Sequence, residues 1–179
     1  MRSEGNFFPP GLSVRTIRPA DNEPVRALFI SGQREIVTED TPLNVRVSLK
    51  KYVDSVLMGD LARPSVHYSR TGRRFWVVES QTGNIVATAA IDKSDRTNDV
   101  ATLARLVVSP EFRRKGLARL LALNAERWAA QHGYRTLALE VTDAQLGAQA
   151  LYGSLGFKRR GVFEYGAITV FQYEKALVE

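Results

Sequence analysis

The chain has 179 residues, 44% hydrophobic and 25% charged, with a formal net charge of +6. That length and mix describe one soluble globular domain with a substantial core. There is no cysteine, and the only two histidines, His67 and His132, are far apart in sequence. These counts exclude a disulfide framework, a thiolate metal site and a cysteine nucleophile, and they argue against a Ser-His-Asp arrangement; no metal is expected. The positive balance suits an anionic partner, whether a phosphate-bearing cofactor, an acidic peptide or nucleic acid. The opening MRSEGNFFPPG shows no signal-peptide pattern, and no apolar run approaches bilayer-spanning length. The expectation is a cytoplasmic protein with no membrane contact.

Residues 1–12, rich in Pro and Gly, read as a flexible lead-in, and residues 13–179 as a single domain. Ser13 to Arg18 is a loose strand. Pro19-Ala20-Asp21-Asn22 is a turn, with Asp21 or Asn22 placed to cap a helix that buries Val25, Leu28 and Phe29. Leu43 to Met58 reads as a second helix, ended by Gly59-Asp60. Residues 60–73 form a polar, basic connection. Phe75 to Glu79 and Ile85 to Ile91 are strands of a hairpin turning at Gln81-Thr82-Gly83-Asn84. Asp92 to Asp99 is a polar turn.

The stretch ARLVVSPEFRRKGLARLL organises the rest. Leu103 to Val108 reads as a buried strand covered on both faces. A Ser109-Pro110 break and a basic turn follow, then a helix whose Leu117, Leu120, Leu121, Ala125 and Trp128 recur at helical spacing. A helix start offers unpartnered N–H groups and partial positive charge. Gly116 and Ala118 let a bulky anion approach the backbone, and Arg113, Arg114 and Lys115 add charge. A diphosphate fits this turn; a solvated basic turn is the plainer reading.

Tyr134 to Thr142 is the next strand, with Leu137, Leu139 and Val141 on one face and Glu140 on the other. Glu140 is either a strand-end residue reaching water or an Arg, or a general base at the open end of the sheet. A helix from Ala144 to Leu155 turns Ala148, Leu151, Tyr152 and Leu155 inward, and Gly156 caps it. Strands at Lys158 to Tyr165 and Thr169 to Lys175, joined at Gly166, close the chain.

Together, RRKGLA after a strand, Glu140 in the next strand and ALYGSLGF in the next helix resemble the GNAT (Gcn5-related N-acetyltransferase) superfamily. YVDSVLMGDL, FWVVES and LEVTDAQLGAQALYGSLGFKRRG resemble its camello-like branch, whose hydrophobic membrane segment ahead of the YVD helix is not seen here. The resemblance implies an α/β (α+β) fold: a mixed, mostly antiparallel central sheet flanked by helices. It implies an acyltransferase moving acetyl from acetyl-CoA, as co-substrate, to a primary amine of a small molecule, peptide or protein. By the same resemblance, backbone groups of Leu106, Val107 and Val108 hold the pantetheine arm and acetyl carbonyl. Amides of Arg113, Arg114, Lys115, Gly116, Leu117 and Ala118 bind the diphosphate. Tyr152 touches the cofactor and protonates the departing thiolate, Glu140 accepts the amine proton, and Gln145 stands where many relatives have Asn.

The acceptor is expected near the first helices and last hairpin, with Arg34, Glu35, Glu39, Asp40, Glu164 and Tyr165 as candidate contacts. Two alternatives rank behind acetyl transfer. One is a catalytically inactive CoA-binding regulatory module. The other is a basic nucleic-acid binder using Arg63, Arg70, Arg73, Arg74 and the Arg113-Arg114-Lys115 turn, with Tyr68, Phe75 and Trp76 nearby. A homodimer is left open.

Overall fold

The computed structural model describes residues 8–94 and 97–177. Seven strands form one sheet: β1 (Leu12–Thr16), β2 (Arg74–Ser80), β3 (Ile85–Lys93), β4 (Val100–Val108), β5 (Thr136–Thr142), β6 (Lys158–Tyr165) and β7 (Ile168–Ala176). Their spatial order is β1-β2-β3-β4-β5-β7-β6, and only β4 and β5 run parallel. Five helices flank the sheet: α1 (Asn22–Arg34), α2 (Leu43–Met58), the one-turn α3 (Pro64–His67), α4 (Leu117–Gln131) and α5 (Leu146–Ser154).

Strand alternation sorts the core into two layers. Phe75 and Val77 of β2 face one side and pack with Val25, Phe29, Val56 and Leu61. Trp76 and Val78 face the other and pack with Leu121, Ala125 and Ala129 of α4. Residues 60–73 are more structured than their polarity suggests. Leu61 is fully buried, Tyr68 is 3% exposed, and the segment contains α3. β1 begins at Leu12, and Phe8 packs against the core. Asp21 does not cap α1 by its side chain; it is buried in an ion pair with Arg15 at 2.6 Å.

Two features of β4 position the site. Its pairing with β5 covers only Val100–Thr102 against Thr136–Ala138. Beyond that point β4 stays with β3 and β5 with β7, so the sheet splits. β4 also carries one extra residue, since Ala90 faces Ala104 while Thr88 faces Val107. Arg105 within this bulge has φ +55°, and the Thr88 hydroxyl donates to its carbonyl at 2.8 Å.

Candidate active site

The split between β4 and β5 opens a cavity of about 490 Å³. Thr102 to Val107 form one wall; Glu140 to Thr142, Ala148 and Tyr152 form the other. Ala104 to Val107 are half-buried, so the expected strand covered on both faces is instead open here. The sheet has lost its β5 neighbour along this stretch, and the cavity takes its place.

Among the predicted residues, Leu106, Val107, Glu140, Gln145 and Tyr152 line this cavity together. Tyr152 is 7% exposed with its ring edge-on to Phe157, and its hydroxyl has no hydrogen-bond partner among the described residues. Buried tyrosine hydroxyls are ordinarily bonded, so this one is available to a ligand. Burial pushes its pKa up, keeping the phenol protonated. Glu140 is exposed, and its Oε1 accepts a 3.3 Å hydrogen bond from Gln172 on β7. Gln145 precedes α5, and its Oε1 accepts from the backbone and hydroxyl of Thr142 at 3.0 and 3.2 Å. That turn delays the helix start to Leu146, two residues beyond the expected Ala144.

Val108 and the Arg113–Ala118 turn do not line the cavity; they continue from the end of the same strand. Gly116 has φ +80°, and a Cβ built there meets nothing within 4 Å. Leu120 is the first residue of α4 to bond back, to Gly116, at 3.0 Å. The preceding amides therefore point out of the helix start, whose first turn has no acidic residue. Open space, aligned amides and basic side chains together fit a diphosphate. Arg113 is folded inward, its Nε donating to Val108 O at 2.8 Å and its Nη1 to Glu35 at 2.6 Å.

Among the lining residues that the sequence reading does not assign to the site are Tyr52, Asp60 and Arg105, which bond to one another. Arg105 donates from Nε and Nη2 to both oxygens of Asp60 at 2.8 and 2.7 Å, and from Nη1 to the Tyr52 hydroxyl at 3.2 Å. Tyr68 also donates to Asp60, at 2.6 Å. Burial alone would raise the Asp60 pKa, but the Arg105 hydrogen bonds and charge, with Tyr68, hold it below the usual carboxylate value. The signal was present: a charge inside an apolar run, the same anomaly that marked Glu140.

Of the proposed acceptor contacts, Tyr165 lines the cavity. Asp40 lines a second hollow of about 380 Å³ that shares Leu49 and Thr142 with the first. Arg34, Glu35, Glu39 and Glu164 line neither; Glu35 holds Arg113, and Glu164 accepts from Thr169. Tyr68, Phe75 and Trp76 are 3%, 0% and 7% exposed, so these rings offer no stacking platform for bases. Among the described residues, no acidic or histidine cluster could hold a metal, and no helix is long and apolar enough to cross a membrane.

Residues 44–157 match the family model of the acetyltransferase (GNAT) family. The chain belongs to the GNAT acetyltransferase family. It is 35% identical to human N-acetyltransferase 8 over 114 residues, covering 62% of this chain and 50% of that protein. It is 34% identical to the N-acetylaspartate synthetase of Danio rerio over 120 residues, covering 66% of this chain and 42% of that protein. The matched part thus spans about half the length of these curated relatives, in keeping with the camello-like resemblance. In fold it is similar to a GNAT acetyltransferase from Staphylococcus aureus, with TM-score 0.73 and 19% identity over 93% of this chain and 99% of that one. It is also similar to yncA of Salmonella typhimurium, solved with its cofactor acetyl-CoA, with TM-score 0.64 and 17% identity over 94% and 95% of the two chains. The GNAT α/β fold, with its mostly antiparallel sheet, is the architecture expected from the sequence.

Proposed function

We propose that this GNAT protein transfers acetyl directly from acetyl-CoA to a primary amine, in the cytoplasm. The observation that carries the reading is the split sheet. It sets a bulged strand, a buried phenol with no hydrogen-bond partner among the described residues and an exposed carboxylate around one cavity.

In this reading the amides of Arg114 to Ala118 hold the diphosphate, the Arg113 amide being bonded instead to Pro110 O at 3.2 Å, while Leu106 to Val108 hold the pantetheine arm by strand-like hydrogen bonds. Backbone N–H groups of the β4 wall donate to the acetyl carbonyl oxygen as negative charge builds on it. Gln145 has its amide oxygen engaged by Thr142, so its NH2 group is the part left to face the cofactor. Glu140 takes a proton from the acceptor ammonium, directly or through water, freeing the lone pair for attack. As the new N–C bond forms and the C–S bond breaks, Tyr152 gives its proton to the leaving sulfur and regains one from the amine side. General acid or base catalysis of this kind typically contributes about 10²–10⁴-fold.

The test is acetyl-CoA-dependent thiol release against a panel of amines, read with a thiol dye that finds no cysteine in this chain. Amine-dependent release supports the reading. Tight acetyl-CoA binding with no release for any amine points to the regulatory-module alternative.

A further inference from the structure

Thr88 stands within Val86 to Ile91 on β3, a run whose other members are all Val, Ala or Ile, and it is 2% exposed. Valine has nearly the same shape and would bury there with no hydroxyl to satisfy. The hydroxyl donates to the Arg105 carbonyl oxygen at 2.8 Å, inside the β4 bulge. Arg105 is held at φ +55°, a left-handed conformation that a non-glycine residue keeps only where its surroundings fix it. Asp60 fixes its side chain with two hydrogen bonds, and Thr88 fixes its carbonyl. That carbonyl belongs to the trans peptide joining Arg105 to Leu106. A trans peptide is planar, with its C=O and N–H pointing opposite ways. With the carbonyl drawn toward β3, the Leu106 N–H points away from β3, to the side that β5 leaves after pairing with Thr102. Leu106 lines the cavity on that side, whereas Thr88 does not.

We infer that Thr88 is a positioning residue for acetyl transfer: by holding the Arg105 carbonyl, it aims the Leu106 N–H at the thioester oxygen of acetyl-CoA. This inference rests on the acetyl-transfer reading and adds to it a residue that touches neither substrate. As the amine attacks, negative charge gathers on that oxygen, and a donor already aimed at it needs no reorganisation. The peptide can tilt about the two dihedrals that flank it, ψ of Arg105 and φ of Leu106. The hydroxyl of Thr88 resists that tilt from the carbonyl end. A methyl group in its place fills the same space but holds nothing, so the N–H drifts off its target.

The experiment compares wild type, Thr88→Val and Thr88→Ser in amine-dependent thiol release, below the onset of thermal unfolding. It also records the carbonyl stretch of isotope-labelled acetyl-CoA bound to each protein without amine, by infrared difference spectroscopy. Thr88→Val should lower kcat about tenfold, a part of the about 10²–10³-fold that loss of a whole oxyanion donor costs. The KM for acetyl-CoA should change little, because the diphosphate turn is untouched. The bound carbonyl stretch should rise in Thr88→Val, since a carbonyl released from a hydrogen bond is less polarised. Thr88→Ser, which keeps the hydroxyl, should restore both readings. If Thr88→Val does not fold, Thr88→Ala makes the same comparison. Full kcat without the hydroxyl, a Ser variant as slow as the Val variant, or a slowed variant with the wild-type carbonyl stretch overturns the inference while leaving acetyl transfer standing. A wild type that releases no thiol with any amine defeats the transfer reading, and this inference with it.

Discussion

Replacing Gly116 separates the shape of the basic turn from its charge. At φ +80° any side chain with a Cβ is strained, by about 1–2 kcal/mol, yet the space around that Cβ is empty. Gly116→Ala should therefore lower stability by about that amount while weakening acetyl-CoA binding only slightly. Gly116→Glu carries the same strain and adds a carboxylate at the mouth of the amide nest. At about 5 Å, each unit of phosphate charge repels it by about 1 kcal/mol in a water-like dielectric and about 3 kcal/mol at an effective dielectric of about 20. Affinity should fall at least about tenfold below that of the Ala variant, and the gap should narrow with added salt as screening shortens toward about 3 Å at 1 M. Calorimetric titration of the three proteins, beside their thermal unfolding, measures both effects. Equal acetyl-CoA affinity in the Ala and Glu variants would refute a diphosphate site at this turn.

Tyr152→Phe should lower kcat about 10²-fold or more with little change in acetyl-CoA binding; steady-state kinetics and titration check both. Because burial raises its pKa, Tyr152 stays protonated, so kcat should show no falling alkaline limb up to about pH 10, followed by pH–rate profiles. Asp60→Asn leaves Arg105 buried without its countercharge and should cost about 3–5 kcal/mol at pH 7. The Asp60 pKa is lowered by folding, so its contribution is present above its unfolded value, about 3.9, and is lost as pH falls through the folded value. The gap between Asp60→Asn and wild type in denaturant titrations should close in acid. Thr88→Val removes the hydroxyl that donates to the Arg105 carbonyl and should cost about 1 kcal/mol in the same assay.

Local pattern and long-range contact divide what the sequence reveals here. The α2 limits, Leu43 and Met58, coincide with the structure because Pro42 and Gly59 bound that helix, and those of β6, Lys158 and Tyr165, because Gly156 ends the helix before it and Gly166 turns the chain after it. Gly116 was legible as the residue opening α4 because strand, turn and helix follow one another directly. Arg105 and Asp60 were not, since their pairing spans 45 residues and joins a bulge to the corner after α2. Residues 60–73 look like a surface connection because their charges are dense. The apolar contacts of Leu61 and Tyr68 with α1, α2 and β2 decide otherwise. The openness of β4 also escaped local reading. An apolar Val- and Leu-rich run looks alike whether its neighbour is another strand or a ligand-sized gap.

The most direct test of the central claim is a single reaction in which released thiol and N-acetylated amine are quantified together, by dye and by mass spectrometry. Acetyl transfer to the amine requires the two to appear in equal amounts, and only when acetyl-CoA, amine and protein are all present. Thiol release without the acetylated amine, or release that ignores the amine, would contradict it.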